Sequence, residues 1–263
     1  MNDQHPIIPG AEPWASPGEG DRARVGAVVV HGFTGNPVST RPLGEAIAAA
    51  GYAVEVLRLP GHGTHWKDLA PARYTDWRGA VNAALDGLLT HCDKVVLVGF
   101  SMGGTLVLDV GGARPGDVAG LVTINAAILD REGLLAKIAP LLGYLLPVVP
   151  AKTAGLIAND ANRPGVDEKA YDHVPVKAAN SLIAVLPGIR ARLRGLAVPL
   201  LGIYGEQDRS VPNANTKALP GLFGGGDVTL LPLPNSRHVA PLDLDRETLE
   251  AETVSFIGRV TGI

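Results

Sequence analysis

The sequence predicts an α/β fold, a mostly parallel central sheet flanked by helices, and three observations carry that prediction. Short continuous apolar runs recur along the 263 residues, segments with helical periodicity stand between most of them, and hydrophobic residues make up 46% of the chain against 19% charged. Apolar runs of about 4 to 8 residues suit strands buried on both faces. Such strands need helices above and below them and crossovers that join parallel neighbours. At this length one large domain with an insertion is favoured over two separate domains.

In chain order, a Pro- and Gly-rich arm (1–24) comes first, followed by the run VGAVVVH at 25–31. Further runs are YAVEVLRL (52–59), KVVLVG (94–99), GLVTIN (120–125), VPLLGIY (198–204) and DVTLLPL (227–233). Between them, RPLGEAIAAA (41–50), DWRGAVNAALDGLLTHC (76–92) and SMGGTLVLDVGG (101–112) have the character of crossover helices. The spacing of Leu249, Val254, Phe256 and Ile257 predicts a terminal amphipathic helix. Between Asn125 and Val198 no convincing strand is found, and that gap is too long for a simple crossover. The chain therefore divides into a core at 25–127 and 191–263 and a helical cap inserted at 128–190.

Composition excludes several classes of function. With 23 Lys and Arg against 26 Asp and Glu the formal net charge is −3, and no basic stripe is present to meet nucleic acid. The single cysteine, Cys92, cannot form an internal disulfide, and no Cys/His cluster has zinc-ligand spacing. The first twenty residues lack the basic start and apolar stretch of a secretory signal, which predicts a cytoplasmic protein. LLAKIAPLLGYLLPVV (134–149) is broken by Lys137, Pro140 and Pro147 and falls short of the roughly 20 residues that cross a bilayer. Stable membrane insertion is thus not expected, although transient contact with lipid fits the same stretch.

The chemistry is carried by Gly99-Phe100-Ser101-Met102-Gly103, which directly follows one predicted strand and opens a helix. In this Gly-x-Ser-x-Gly elbow the turn is so sharp that its flanks must be small, and the serine hydroxyl is thrust out above the sheet. A serine needs a base to take its proton. Of seven histidines, His238 lies just beyond the last predicted strand, at the sheet edge that carries the elbow. The imidazole needs a carboxylate to set its tautomer, and Asp208 follows the strand VPLLGIY at the same edge, with Glu206 as its main rival. The order Ser, Asp, His is that of alpha/beta hydrolases.

Acyl transfer also needs N–H donors for its oxyanion. The Met102 amide is one, and the loop His31-Gly32-Phe33-Thr34-Gly35 offers the Phe33 amide as the second. His31 is read as a brace for this loop. His62 and His65 have no suitable third ligand nearby, so they too are read as loop braces and not as a metal site.

The motifs HGFTGNP, LPGHGT, GFSMGG, GEQDRSVP and NSRHV resemble those of the bacterial carboxylesterase and monoacylglycerol lipase branch of the alpha/beta-hydrolase superfamily, from Val25 to the C-terminus. The resemblance implies a triad of Ser101, Asp208 and His238, a small cap, and substrates that are short to medium acyl esters or monoglycerides. It implies no cofactor and no metal. Gly32 and the cap leucines Leu141, Leu142, Leu145 and Leu146 are candidates for the substrate lining, because an apolar channel gains about 0.8 kcal/mol per buried methylene. A thioesterase, an acyltransferase or a carbon-carbon bond hydrolase on the same triad is the alternative. A haloalkane dehalogenase would place Asp at the elbow, and a non-catalytic lipid-binding relative would lack a triad residue.

Overall fold

The computed structural model describes residues 3–130, 146–224 and 226–263. Seven strands form the main sheet: β1 (Trp14–Ser16), β2 (Val25–Val30), β3 (Ala53–Leu57), β4 (Lys94–Phe100), β5 (Gly120–Ile124), β8 (Leu200–Gly205) and β9 (Val228–Leu233), in the order β1-β3-β2-β4-β5-β8-β9. All neighbouring pairs are parallel except β1 with β3. Every residue of β2, β5 and β8 is buried, as the continuous apolar runs require.

Because side chains alternate along a strand, the sheet feeds two cores. Val28, Val30, Val95, Leu97 and Leu121 face helices α3 (Tyr74–Leu89) and α4 (Met102–Ala113). Val29, Val56, Val98, Val122 and Ile203 face α1 (Arg41–Ala49) and the terminal helix α9 (Arg246–Thr261), which buries Leu249, Phe256 and Ile257 as its spacing predicts.

Two features depart from the sequence expectation. The arm is not merely irregular, since Trp14–Ser16 pairs antiparallel with β3 and supplies an edge strand. The long connection between β5 and β8 holds a two-stranded antiparallel pair, β6 (Val148–Pro150) with β7 (His173–Pro175). Three-residue strands flanked by proline carry no periodicity that a sequence reading can use. Helices α5 (Val176–Ile183) and α6 (Leu186–Leu193) follow. The expected boundary at 190/191 falls inside α6, whose Leu186, Ile189 and Leu193 are buried and whose Arg192 pairs with Asp109 on α4. Helices α2 (Trp66–Leu69), α7 (Ala214–Lys217) and α8 (Leu219–Phe223) complete the described α-helices. Among the described residues no helix is long and apolar enough to cross a membrane.

Candidate active site

The turn between β4 and α4 sets Ser101 at φ 55°, ψ −117°, a left-handed backbone conformation that a residue with a side chain adopts only when its surroundings impose it. Its neighbours show what does so. A Cβ on Gly99 would strike the Gly103 carbonyl, and one on Gly103 would strike the Val30 carbonyl, both fixed backbone atoms. Gly32 lies so close that its missing Cβ would sit 3.1 Å from the Ser101 Cβ. The sharp strand-to-helix turn therefore brings the serine against the loop that follows β2.

From the loop after the outermost strand β9, His238 reaches Ser101 with Nε2 3.1 Å from Oγ, while its Nδ1 lies 2.8 Å from Oδ2 of Asp208. The Asp208 carboxylate is completely buried, and its Oδ1 accepts the Ser210 and Val211 amides, each at 2.8 Å. With Oδ1 saturated, Oδ2 is aimed at the imidazole. Glu206 is exposed on the same loop and takes no part in this arrangement. Burial disfavours the His238 imidazolium, but the charge and hydrogen bond of Asp208, with Glu168 and Asp160 adding to them, outweigh it and hold the pKa above its ordinary value.

His31 has the geometry of a brace. Its Nε2 accepts the Leu59 amide at 3.1 Å, which leaves Nδ1 to donate to the Gly32 carbonyl at 2.8 Å. Burial, reinforced by the Arg58 charge, lowers its pKa to about 4, so it stays neutral and holds one tautomer. His62 is buried in an aromatic group with Phe33, Trp77 and Tyr171, whereas His65 caps α2 by accepting the Lys67 amide and stacks on His5. Both imidazoles sit on the β3–α2 loop but contact different neighbours.

A cavity open to solvent lies over Ser101 and His238. Gly32, a candidate for the substrate lining, and Phe33, a candidate oxyanion donor, both border it. Its apolar wall comes from Ala151, Leu156 and Ile157 of the β5–β8 connection. Leu146 is 49% exposed and is not part of this lining, while Leu141, Leu142 and Leu145 lie outside the described residues.

Two residues at the site escape a sequence reading. Asn125, at φ 49° just past β5, donates to the carbonyls of Arg237 and His238 and accepts the Gly205 amide, so one amide group ties together the ends of β5, β8 and the histidine loop. A lone polar residue ending an apolar run is its only trace in the sequence. Glu168, in the polar stretch NDANRPGVDEKAYDH (159–173), is buried in the cavity wall. Burial pushes its carboxyl pKa up, against the opposing pull of His238.

A serine raised at the carboxyl edge of a parallel sheet, in hydrogen-bond reach of an imidazole that comes after the acid in the chain, defines an alpha/beta hydrolase of the serine-hydrolase class. A family model described as serine aminopeptidase, S33, matches residues 21–245, and the chain belongs to that family. It is 34% identical to a thermostable monoacylglycerol lipase of Bacillus sp. over 100% of both chains. It is 28% identical to a monoacylglycerol lipase of Mycolicibacterium smegmatis, over 88% of this chain and 86% of the relative. Among solved structures, one from work on the metagenome-derived lipolytic enzymes LipS and LipT superposes with a TM-score of 0.88 at 36% identity, covering 97% of this chain and 100% of the other.

Proposed function

We propose that the protein is a carboxylic ester hydrolase that cleaves short to medium acyl esters, monoacylglycerols among them, through an acyl-enzyme on Ser101. The observation that carries this reading is the line from Asp208 through His238 to Ser101 Oγ, with steps of 2.8 and 3.1 Å. In the proposed cycle His238 Nε2 takes the hydroxyl proton as Oγ attacks the ester carbonyl. The Phe33 and Met102 amides receive the oxyanion, and His238 then passes the proton to the departing alcohol. Water, deprotonated by the same nitrogen, releases the acid and restores Ser101. Asp208 keeps the proton on Nδ1 throughout. Every step uses groups of this chain and water.

The alcohol side is where Glu168 enters the proposal. Its carboxylate shares the cavity with Ser101 and is a hydrogen-bond acceptor suited to free hydroxyls such as those of a glycerol leaving group. The 34% identical relative, named a monoacylglycerol lipase, supports the same choice over a peptide substrate. We assign 128–190 as the cap that shapes the acyl side. Ile157 lines the cavity yet is 38% exposed, which supports brief contact with lipid aggregates during substrate uptake.

The test is hydrolysis of p-nitrophenyl esters of rising acyl length, 1-monoacylglycerols, an aminoacyl p-nitroanilide and an acyl thioester. Turnover should peak on short to medium esters and monoacylglycerols and be lowest on the anilide. A preference for the anilide or thioester would overturn the ester reading. Glu168→Gln should lower kcat/KM for monoacylglycerols by about tenfold, in keeping with about 1.5 kcal/mol for a hydrogen bond to a charged group. The loss on p-nitrophenyl esters, which lack those hydroxyls, should be several-fold smaller, since there Glu168 acts only through its clip to Asn159 and its charge facing His238; an equal loss on both would remove Glu168 from alcohol recognition.

The pH profile follows from the raised His238 pKa. The base acts only when neutral, so kcat/KM should fall as pH drops through the free-enzyme pKa, with the acid limb centred above 6.5. A rate that stays flat well below pH 6 would remove His238 as the base.

A further inference from the structure

Asp160 belongs to the β5–β8 connection, far in sequence from the proposed catalytic residues, and its carboxylate is fully buried. Oδ1 accepts Arg209 Nε at 2.8 Å and pairs with the rest of that guanidinium at 2.6 Å. Oδ2 accepts the Arg209 backbone amide at 3.1 Å and the Ser210 hydroxyl at 3.4 Å. The Asp160 carbonyl accepts the Val239 amide at 2.9 Å. One residue thus holds the amides that directly follow Asp208 and His238.

The segment around it is itself built to stay in place. Asn159, at φ 51°, and Glu168 form a reciprocal clip: the Asn159 amide donates to the Glu168 carboxylate at 3.3 Å, and the Glu168 amide donates to the Asn159 side chain at 3.0 Å. The Asn162 and Arg163 amides donate to Asp243, whose carboxylate also accepts the Arg237 amide next to His238. A fully buried charge with one half-exposed arginine as its counter-ion is an expensive way to secure two loops if packing alone were needed. Charge-assisted bonds, stronger and more directional than neutral ones, suit a device that must hold two loops in register.

We propose that Asp160 is a positioning residue for the Ser101 chemistry, fixing the acid and base loops relative to each other and tying both to the segment that carries Glu168 and the cavity wall. This rests on the roles given above to Ser101, His238 and Asp208. Of the charged groups facing His238, Asp208 comes from the acid loop, and Asp160 and Glu168 come from the β5–β8 connection. Asp160 therefore also contributes negative charge that favours the imidazolium, and Arg209 offsets it.

Two variants separate positioning from simple scaffolding. Asp160→Asn keeps the shape but turns donors toward Arg209; kcat should fall about 10- to 100-fold, the cost of a misplaced catalytic group, with KM within about twofold. Its acid limb should move to lower pH, because a carboxylate facing His238 is gone. Arg209→Gln alters a half-exposed side chain and keeps the backbone bond to Asp160, so it tests the inference even if the first variant fails to fold. Its acid limb should move the other way, to higher pH, because the Asp160 charge is left uncompensated. Limbs at the wild-type position in both folded variants, or an unchanged kcat in Asp160→Asn, would overturn the inference while Ser101→Ala remains inactive. Activity surviving in Ser101→Ala would instead overturn the roles beneath it.

Discussion

Ser101→Ala should reduce kcat on a p-nitrophenyl ester by about 10⁶-fold, leaving the rate that substrate binding and the oxyanion amides alone provide. The size of the effect follows from the geometry. Oγ is 3.1 Å from His238 Nε2, and deleting it removes the nucleophile and the proton that the base exists to take. The fold should not suffer. Alanine and serine both carry a Cβ, so the cost of about 1 to 3 kcal/mol for the left-handed conformation at this turn is already borne by the native residue. Thermal unfolding should therefore move little while turnover collapses, and KM should change far less than kcat. A fluorophosphonate should label the native protein and not the variant. Residual turnover above about one percent in the purified variant would mean that another group attacks the ester, and the acyl-enzyme route on Ser101 would be lost.

The sheet and its central line of catalytic candidates were legible in the sequence because they depend on local chemistry. A strand buried on both faces must be apolar throughout, so VGAVVV and LLGIYG announce themselves. The elbow must have glycine at 99 and 103, since backbone carbonyls occupy the space of any Cβ there. Asp208 and His238 stand out as candidates because both follow apolar runs at the carboxyl edge that carries Ser101. What stayed hidden depends on contacts distant in sequence. Asp160 meets Arg209 across 49 positions, and Asn125 meets His238 across 113; neither bond leaves a periodic or compositional trace. Glu168 reads as a solvated loop residue until the fold buries it. The short strands Trp14–Ser16, Val148–Pro150 and His173–Pro175 carry too few residues for alternation to be distinguished from chance.

Asp208→Asn should lower kcat by about 10⁴-fold with little change in stability, and the direction of each hydrogen bond around Asp208 explains why so small a change matters. The Ser210 and Val211 amides both donate to Oδ1 at 2.8 Å, so the asparagine must place its carbonyl oxygen there. Its NH₂ then occupies the position of Oδ2 and donates toward His238 Nδ1, which is 2.8 Å from that atom in the native protein. Nδ1 becomes an acceptor, the imidazole proton moves to Nε2, and the nitrogen facing Ser101 Oγ can no longer take a proton. Loss of the carboxylate also removes the strongest favourable charge on the imidazolium, so what activity remains should show its acid limb at lower pH. Glu206→Gln serves as the counter-test, because Glu206 is exposed on the same loop, and its kcat should stay within about twofold of native. If Glu206→Gln silenced the enzyme while Asp208→Asn did not, the carboxylate that orients His238 in turnover would have to come from Glu206, and the loop 205–212 would have to rearrange on binding substrate.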